Sequence, residues 1–259
     1  CHGEAPHEDG LINEHTVKVS CQTCHIPVYA KDAATKMEWD WSTAGKLKDG
    51  KPFSLKDENG NETYMSIKGS FVWADSVKPD YIWFNGTADH YLLGDSVRDL
   101  SGPLKINSLN GSYADRKSKI YPVKIHKSKQ PFDHGTHILI QPKLFAKEVG
   151  EGAFWKDFDW QKAAEIGMKE IDLPYTGELA FIETEMYWPV NHMVSAKEES
   201  VSCTECHTRE NSRLAGLNDF YMPRRDYNPL VEGFGKSMIF VTLFGVVLHG
   251  SLRVYYSKR

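Results

Sequence analysis

The chain has 259 residues, enough for one large domain or two ordinary ones. Its formal net charge is −4, so nothing in its charge balance suggests nucleic-acid binding. Hydrophobic residues make up 41% of the chain and the mean hydropathy is negative. Most of the chain is therefore predicted to form a water-soluble body.

Two copies of the pentad Cys-x-x-Cys-His stand far apart, at Cys21–His25 and Cys203–His207. This pentad is the attachment signature of c-type haem. Its two thiols lie one helical turn apart and form thioethers with the porphyrin, while the adjacent imidazole binds the iron. We therefore predict four thioether residues and two proximal iron ligands: Cys21, Cys24, Cys203 and Cys206, and His25 and His207.

The first two residues, Cys1 and His2, look like the end of a third pentad. This interpretation explains the odd count of five cysteines, because Cys1 would be the second thioether residue and His2 the proximal ligand. The chain is thus expected to be the C-terminal part of a longer polypeptide and to carry three haem c groups. Because c-type haem is attached outside the cytoplasm, we expect a periplasmic location.

The alternative interpretation of a Cys-x-x-Cys pair is half of a zinc site, and two pairs could form a four-cysteine ribbon. Zinc ribbons place their pairs close together in sequence, whereas 178 residues separate these two. A histidine also follows each pair directly. The zinc-stabilised binding module is therefore the weaker hypothesis.

A low-spin electron-transfer haem needs a second axial ligand, and histidines outside the pentads are the natural source. His192 lies in the rigid segment that enters the last pentad, His15 shortly precedes Cys21, and His7 shortly follows His2. The candidate distal ligands, in decreasing order, are His192, His15, His7 and His126, followed by His137 and His134.

The residues between the pentads predict irregular loops and a small β-rich insertion at about residues 45–120. Turn dipeptides such as Asn59-Gly60 flank β-favouring runs at Ser70–Trp73 and Tyr81–Phe84. Residues 126–150 are expected to form an extended loop, and Trp155–Glu170 an amphipathic helix.

The C-terminus changes character, because Met238–Leu248 is apolar except for Thr242. With its flanks, Phe234–Tyr256 is long enough to span the ~30 Å hydrocarbon core of a membrane. We predict a multihaem domain at residues 1–233 and a membrane-anchor helix at 234–259, with Arg253, Lys258 and Arg259 on the cytoplasmic side. The alternative is a buried or interfacial helix.

His249 lies inside this apolar segment. It is either a neutral, hydrogen-bonded histidine near the interface or, at membrane depth, a contact for haem b or quinone.

Six segments, taken in order, carry a family resemblance: Cys1–His7, His15–Pro27, Trp83–Gly86 with Tyr91–Asp95, His126–Asp133, Trp155–Trp160 and Glu185–Met193. They resemble the C-terminal half of octahaem c-type cytochromes of the tetrathionate reductase type. The resemblance implies a mainly helical multihaem fold with a β insertion, and eight haems in the full protein. It also implies that the catalytic haem lies upstream of residue 1, so no catalytic residue is expected in this chain.

Two functions follow as hypotheses. The first is an oxidoreductase that reduces small sulfur or nitrogen compounds such as tetrathionate, nitrite and hydroxylamine, with this chain storing and carrying electrons. The second is a conduit without chemistry of its own, which links a membrane b-type cytochrome or quinone-linked subunit to other redox proteins. Both hypotheses require redox partner proteins, and neither involves nucleic acid.

Overall fold

A computed structural model describes residue 3 and residues 5–257 of the chain. Cys1 and His2, the predicted remainder of a third pentad, lie outside the described residues, as do Glu4, Lys258 and Arg259. The chain forms two compact units that divide after Val201. The domain boundary at residue 233, expected from hydropathy, stays a prediction.

The first unit is built on a mixed sheet of nine strands. In chain order, the unit's strands are β1 (Thr35–Asp40), β2 (Ser54–Lys56), β3 (Glu62–Met65), β4 (Gly69–Ala74), β5 (Asp80–Phe84), β6 (Ala88–His90), β7 (Leu104–Lys105), β8 (Asn107–Leu109), β9 (Lys119–Asp133), β10 (Ile138–Leu139) and β11 (Leu179–Pro189). The main path runs β2-β3-β4-β1-β9-β11-β7, and β5 and β10 also pair with β9. Strands β6 and β8 form a separate small sheet.

Strand β9 is the centre of this sheet. The predicted mainly α fold class is wrong, because the sheet built around β9 dominates the first unit. The described chain is not mainly α. Residues 126–133, expected in a loop because Gly, Pro and Asp are interleaved over residues 126–150, continue β9 instead. The strand persists because β11 pairs with it from Val123 to Asp133, β1 pairs with Lys127–Lys129 on its other edge, and β5 pairs with Lys119–Val123. Long-range pairing therefore outweighs the local signal of the prolines.

The β-favouring runs at residues 70–73 and 81–84 lie in β4 and β5. The sheet extends well beyond the expected insertion, however, since β1, β9 and β11 lie largely or wholly outside residues 45–120.

Four short helices complete the first unit: α1 (Gly10–His15), α2 (Cys21–His25), α3 (Phe154–Asp157) and α4 (Trp160–Glu170). The single helix predicted from Trp155 to Glu170 is interrupted at Phe158, whose φ of 56° is left-handed. Asp159 then caps α4 by accepting a bond from the Lys162 backbone. The buried face of α4 packs against the segment that contains β10, which secures the far side of the sheet.

The second unit contains α5 (Cys203–Cys206) and the long helix α6 (Pro229–Ser257). Helix α6 has 29 residues and no buried side chain. By length and composition it is the one helix in the described part of the chain that could cross a membrane. The apolar segment expected at Phe234–Tyr256 lies entirely within it.

Candidate haem sites

The first pentad forms α2, which is fastened to strand β9 just before and within the helix. The Ser20 backbone donates to the Ile120 carbonyl at 3.0 Å, and the Thr23 hydroxyl donates to the same carbonyl at 2.7 Å. Thr23, one of the two variable residues of the pentad, is buried, whereas Cys21 is exposed. Helix α2 thus turns its variable side to the sheet and leaves its first thiol accessible.

A distant segment, residues 195–201, runs beside the same pentad. The Ser195 backbone donates to the His25 carbonyl at 2.7 Å, and the Val201 backbone donates to the Cys24 carbonyl at 2.8 Å. The Ser195 carbonyl also lies 3.5 Å from His25 Nδ1, a long hydrogen bond. A histidine that donates from Nδ1 to a carbonyl keeps Nε2 as its metal-binding atom. The segment therefore orients His25 as an iron ligand requires.

The imidazole rings of His7 and His25 lie with their centres 6.3 Å apart and their planes 15° from parallel. A histidine nitrogen binds a metal at about 2 Å and the ring centre lies roughly 1 Å further out, so two imidazoles on opposite sides of one iron have centres about 6 Å apart. The observed separation therefore fits a haem iron between His25 as proximal ligand and His7 as distal ligand.

Asn13, on helix α1, fixes the position of His7 from two sides. Its side-chain oxygen accepts bonds from the His7 backbone at 3.0 Å and from His7 Nδ1 at 3.2 Å. Its amide nitrogen donates to the His7 carbonyl at 2.7 Å. Asp9 caps the start of α1, because its side chain accepts a bond from the Leu11 backbone. His7 is thus held, like His25, with Nδ1 occupied and Nε2 left for the metal.

The second pentad is supported by side chains close to it in sequence. Ser202 and Glu205 form a capping box at the start of α5. Glu205 also accepts from the Arg213 guanidinium, whose nitrogens lie 2.7 and 2.8 Å from its carboxylate. The Pro223 carbonyl lies 3.3 Å from His207 Nδ1. His207 therefore has the same tautomer as His25, fixed by a backbone carbonyl.

Arg225 organises the loop that carries this carbonyl. Its side chain is 6% exposed and donates to the carbonyls of Leu214 and Phe220 at 2.9 and 2.8 Å. It also forms a two-point ion pair with Asp226 at 2.7 and 2.8 Å. The bond from Arg225 holds the pKa of Asp226 below its ordinary value. This buried cation thus closes the loop that positions His207.

His126 lies in β9 and is half-buried. Its Nδ1 is 3.2 Å from the Lys36 carbonyl, so this histidine also has Nε2 as its coordinating atom. Burial lowers its pKa below the ordinary value, and the charges of Lys124 and Lys36 lower it further, against the effect of the carbonyl bond. A neutral imidazole is the form that binds metals, so the surroundings of His126 suit a ligand.

Of the other candidate distal ligands, His15, His134 and His192 are exposed and His137 is half-buried. His15 ends α1 with Nδ1 2.8 Å from the Leu11 carbonyl, and His192 is exposed after β11. His134 and His137 flank the turn between β9 and β10, with ring centres 5.9 Å apart and planes 44° apart. The structure brings His7 to His25 and His134 to His137, and it leaves the roles of all these histidines as predictions.

Several supporting groups were not expected from the sequence: Asn13, Ser195, Pro223 and Arg225. Two of them act through backbone carbonyls, which leave no residue-specific signal. Asn13 and Arg225 act through side chains that are common in turns and on surfaces. Within residues 3 and 5–257, no cluster of three or more His, Cys, Asp or Glu side chains is arranged to hold a single metal ion.

The chain is similar to a protein of known structure. The solved structure of an octahaem cytochrome c from Shewanella oneidensis is 42% identical and superposes with a TM-score of 0.77, over 87% of this chain and 51% of that one. The chain thus spans about half the length of that protein, and its resemblance to octahaem c-type cytochromes is confirmed. No curated protein sequence matches significantly.

A family model described as bacterial cytochrome c matches residues 36–210, which include the second pentad. Proteins of this family carry haem c outside the cytoplasm and transfer electrons to and from redox partners. The match covers most of the chain. The chain belongs to the bacterial cytochrome c family.

Proposed function

We propose that this chain is the electron-carrying, C-terminal part of an octahaem-type cytochrome. It would hold haem c at Cys21–His25 and Cys203–His207, and a third group at Cys1–His2. When bound, haem c supplies an iron that gains and loses one electron at a time. The chain's own residues would attach the group and supply the iron's axial ligands.

The pairing of His7 with His25 carries this proposal. Two imidazoles on one iron leave no coordination position for a substrate, so such a site suits electron transfer rather than catalysis. Asn13 and the Ser195 carbonyl hold both rings before any electron arrives. A rigid ligand pair lowers the structural change that accompanies each electron transfer. His126, His192, His15, His134 and His137 remain the predicted distal ligands of the other haems.

For the whole protein, we propose reduction of small sulfur or nitrogen compounds such as tetrathionate, nitrite or hydroxylamine at a haem outside this chain. The conduit to a quinone-linked membrane partner is the second candidate, and the exposed apolar helix α6 favours it. In both cases the haem-bearing part would lie in the periplasm, anchored by α6. Turnover of these compounds by the full-length protein with a viologen dye as electron donor would support the first, and its absence the second.

Substitution of His7 tests the ligand pair directly. The variant His7→Ala should convert one haem from six-coordinate low-spin to a form that binds carbon monoxide when reduced, giving one new binding site per protein. His90→Ala is the matched control, because His90 lies exposed in strand β6. If the His7 variant gains no carbon monoxide site, His7 is not the ligand and the assignment is wrong.

The variant His7→Met provides a second measurement with a different readout. Methionine ligation raises the reduction potential of a haem relative to histidine, within the ~0.8 V span that axial ligands control. One of the potentials in a redox titration should therefore rise by roughly 0.1 V or more. Unchanged potentials would contradict ligation by His7 even if the alanine variant failed to fold.

A further inference from the structure

We infer that the haem-binding segment Cys203–His207 is clamped to the polar end of helix α6 and that its haem therefore lies at the membrane surface. The inference rests on the proposed haem attachment and on α6 as a membrane anchor. It goes beyond both, because it assigns one particular pentad to the membrane face and names the ion pair that keeps it there.

The first step is a contact between the pentad segment and the first turns of α6. Arg209, two residues after the proximal ligand His207, forms an ion pair with Glu232. The Arg209 guanidinium also lies 5.0 Å from the ring centre of Tyr227, just before the helix. Lys236 lies 3.9 Å from Glu232 one turn further on. A compact charged cluster thus joins the pentad to the beginning of α6.

Chain geometry then limits how far the haem can be from this cluster. Two residues span at most about 7 Å, so the backbone of His207 cannot leave the neighbourhood of Arg209. The Pro223 carbonyl that orients His207 belongs to the loop that leads into α6. The pentad is therefore tied to the N-terminal end of α6 by the Arg209 ion pair and by this loop.

The second step concerns what surrounds α6. Large apolar side chains are exposed on every side of it, including Phe234, Ile239, Phe240, Leu243 and Val247. A helix that is apolar all round is buried in protein or spans a membrane, and α6 has no buried residue. At about 1.5 Å per residue, its 29 residues exceed the ~30 Å hydrocarbon core. The surroundings that these properties fit are a lipid bilayer.

The charges on α6 fix which part lies in the hydrocarbon. Glu232 and Lys236 precede the apolar run Met238–Leu248, and Arg253 follows it. Charged side chains are costly at membrane depth and are placed at the interfaces. The Arg209–Glu232 pair therefore lies at headgroup level, and so does the pentad attached to it. Its haem is then close to any redox carrier confined to the bilayer.

Energy transfer from labelled lipids to haem tests this placement in the full-length holoprotein. The protein is reconstituted in phosphatidylcholine vesicles that contain dansyl-labelled phosphatidylethanolamine, whose headgroup fluorescence haem quenches at short range. Wild-type protein should quench strongly, and the variant Cys203→Ser with Cys206→Ser, which lacks the last haem, should lose most of that quenching. Equal quenching by both proteins would overturn the inference.

Charge reversal tests the clamp while all haems stay in place. Arg209→Glu should shift the ratio of clamped to released pentad by roughly two- to fivefold, and quenching should fall accordingly. The double variant Arg209→Glu with Glu232→Arg should restore it, and Arg224→Glu, at an exposed position nearby, should not change it. If Arg209→Glu and the double variant both quench like wild type, the ion pair is not the clamp.

The two possible failures are distinguishable. Protein that does not stay with the vesicles on flotation contradicts α6 as an anchor. Protein that stays bound but whose last haem contributes no quenching leaves the anchor intact and overturns only the placement of the pentad.

Discussion

The two pentads have the same chemistry but are supported by different parts of the chain. The first is held mainly by backbone bonds to distant residues, namely Ile120, Ser195 and Val201. The second is held by side chains and loops within about 20 residues of it, with Arg213 and Arg225 as the main cations. The same motif can therefore be supported by backbone bonds to a sheet and a distant segment, or by charged side chains in nearby loops.

The largest expected difference between the two pentads is the loss of stability in the first unit when each haem is removed. In the variant Cys21→Ser with Cys24→Ser, the haem content should fall by one per protein, and the first unit should lose on the order of several kcal/mol because a prosthetic group stabilises the fold that binds it. The variant Cys203→Ser with Cys206→Ser should lose one haem and leave the unfolding of the first unit unchanged. Haem assays and thermal unfolding measure both effects, and equal destabilisation of the first unit would contradict the comparison.

The second largest effect is expected at Arg225, which supports the second pentad alone. Arg225→Lys replaces a buried four-bond guanidinium by an amine that cannot reach the same partners, at a cost of about 2–3 kcal/mol in the second unit. Arg224→Lys, at the exposed neighbouring position, should change the unfolding free energy little. Denaturant titration followed at the haem bands measures both, and comparable losses would show that Arg225 has no special role.

A smaller effect is expected at Asn13, which supports His7 in the first unit. Asn13→Ala removes three hydrogen bonds from His7 and should weaken its hold on the iron by about 1–2 kcal/mol, so that a high-spin fraction appears on mild heating. Asn59→Ala, in the exposed turn between β2 and β3, is the control. Electron paramagnetic resonance detects the high-spin iron, and an unchanged low-spin spectrum would argue against positioning by Asn13.

The smallest expected difference between the two units is in how acid and salt change their stability. Burial alone would raise the pKa of Asp133 in the first unit, but bonds from Thr136 and Thr176 offset this and hold it below the ordinary value. Arg225 lowers the pKa of Asp226 in the second unit. A carboxyl with a depressed pKa contributes stability above its unfolded pKa of about 4, and this contribution is lost as the pH falls through the folded pKa.

Salt should distinguish these two carboxyls. Added salt screens the partly exposed ion pair of Asp226 but not the neutral donors of Asp133. The acid unfolding midpoint of the second unit should therefore rise in salt, whereas that of the first unit should stay constant. The pH titration of circular dichroism at low and high ionic strength measures both midpoints, and a common shift would contradict the comparison.

The residues predicted to attach haem stand out in the sequence because thioether and iron chemistry impose fixed spacing on Cys and His. The runs in β4 and β5 and the amphipathic α4 were also recognisable, since their patterns are local. Strand β9 was not, because its partners lie far away in sequence and two prolines mask it. The pairing of His7 with His25 depends on the path of the chain between them, which the sequence does not reveal.

The Ser195 carbonyl beside His25 has a consequence for how the molecule is made. A chain that leaves the cytoplasm with its N-terminus first exposes Cys21 and Cys24 long before Ser195 and Val201 emerge. The first attachment site therefore remains unfinished during most of export, when its thiols are open to the machinery that joins them to porphyrin. The second site is completed within a few tens of residues of its own thiols. The two attachments consequently have very different time windows on the growing chain.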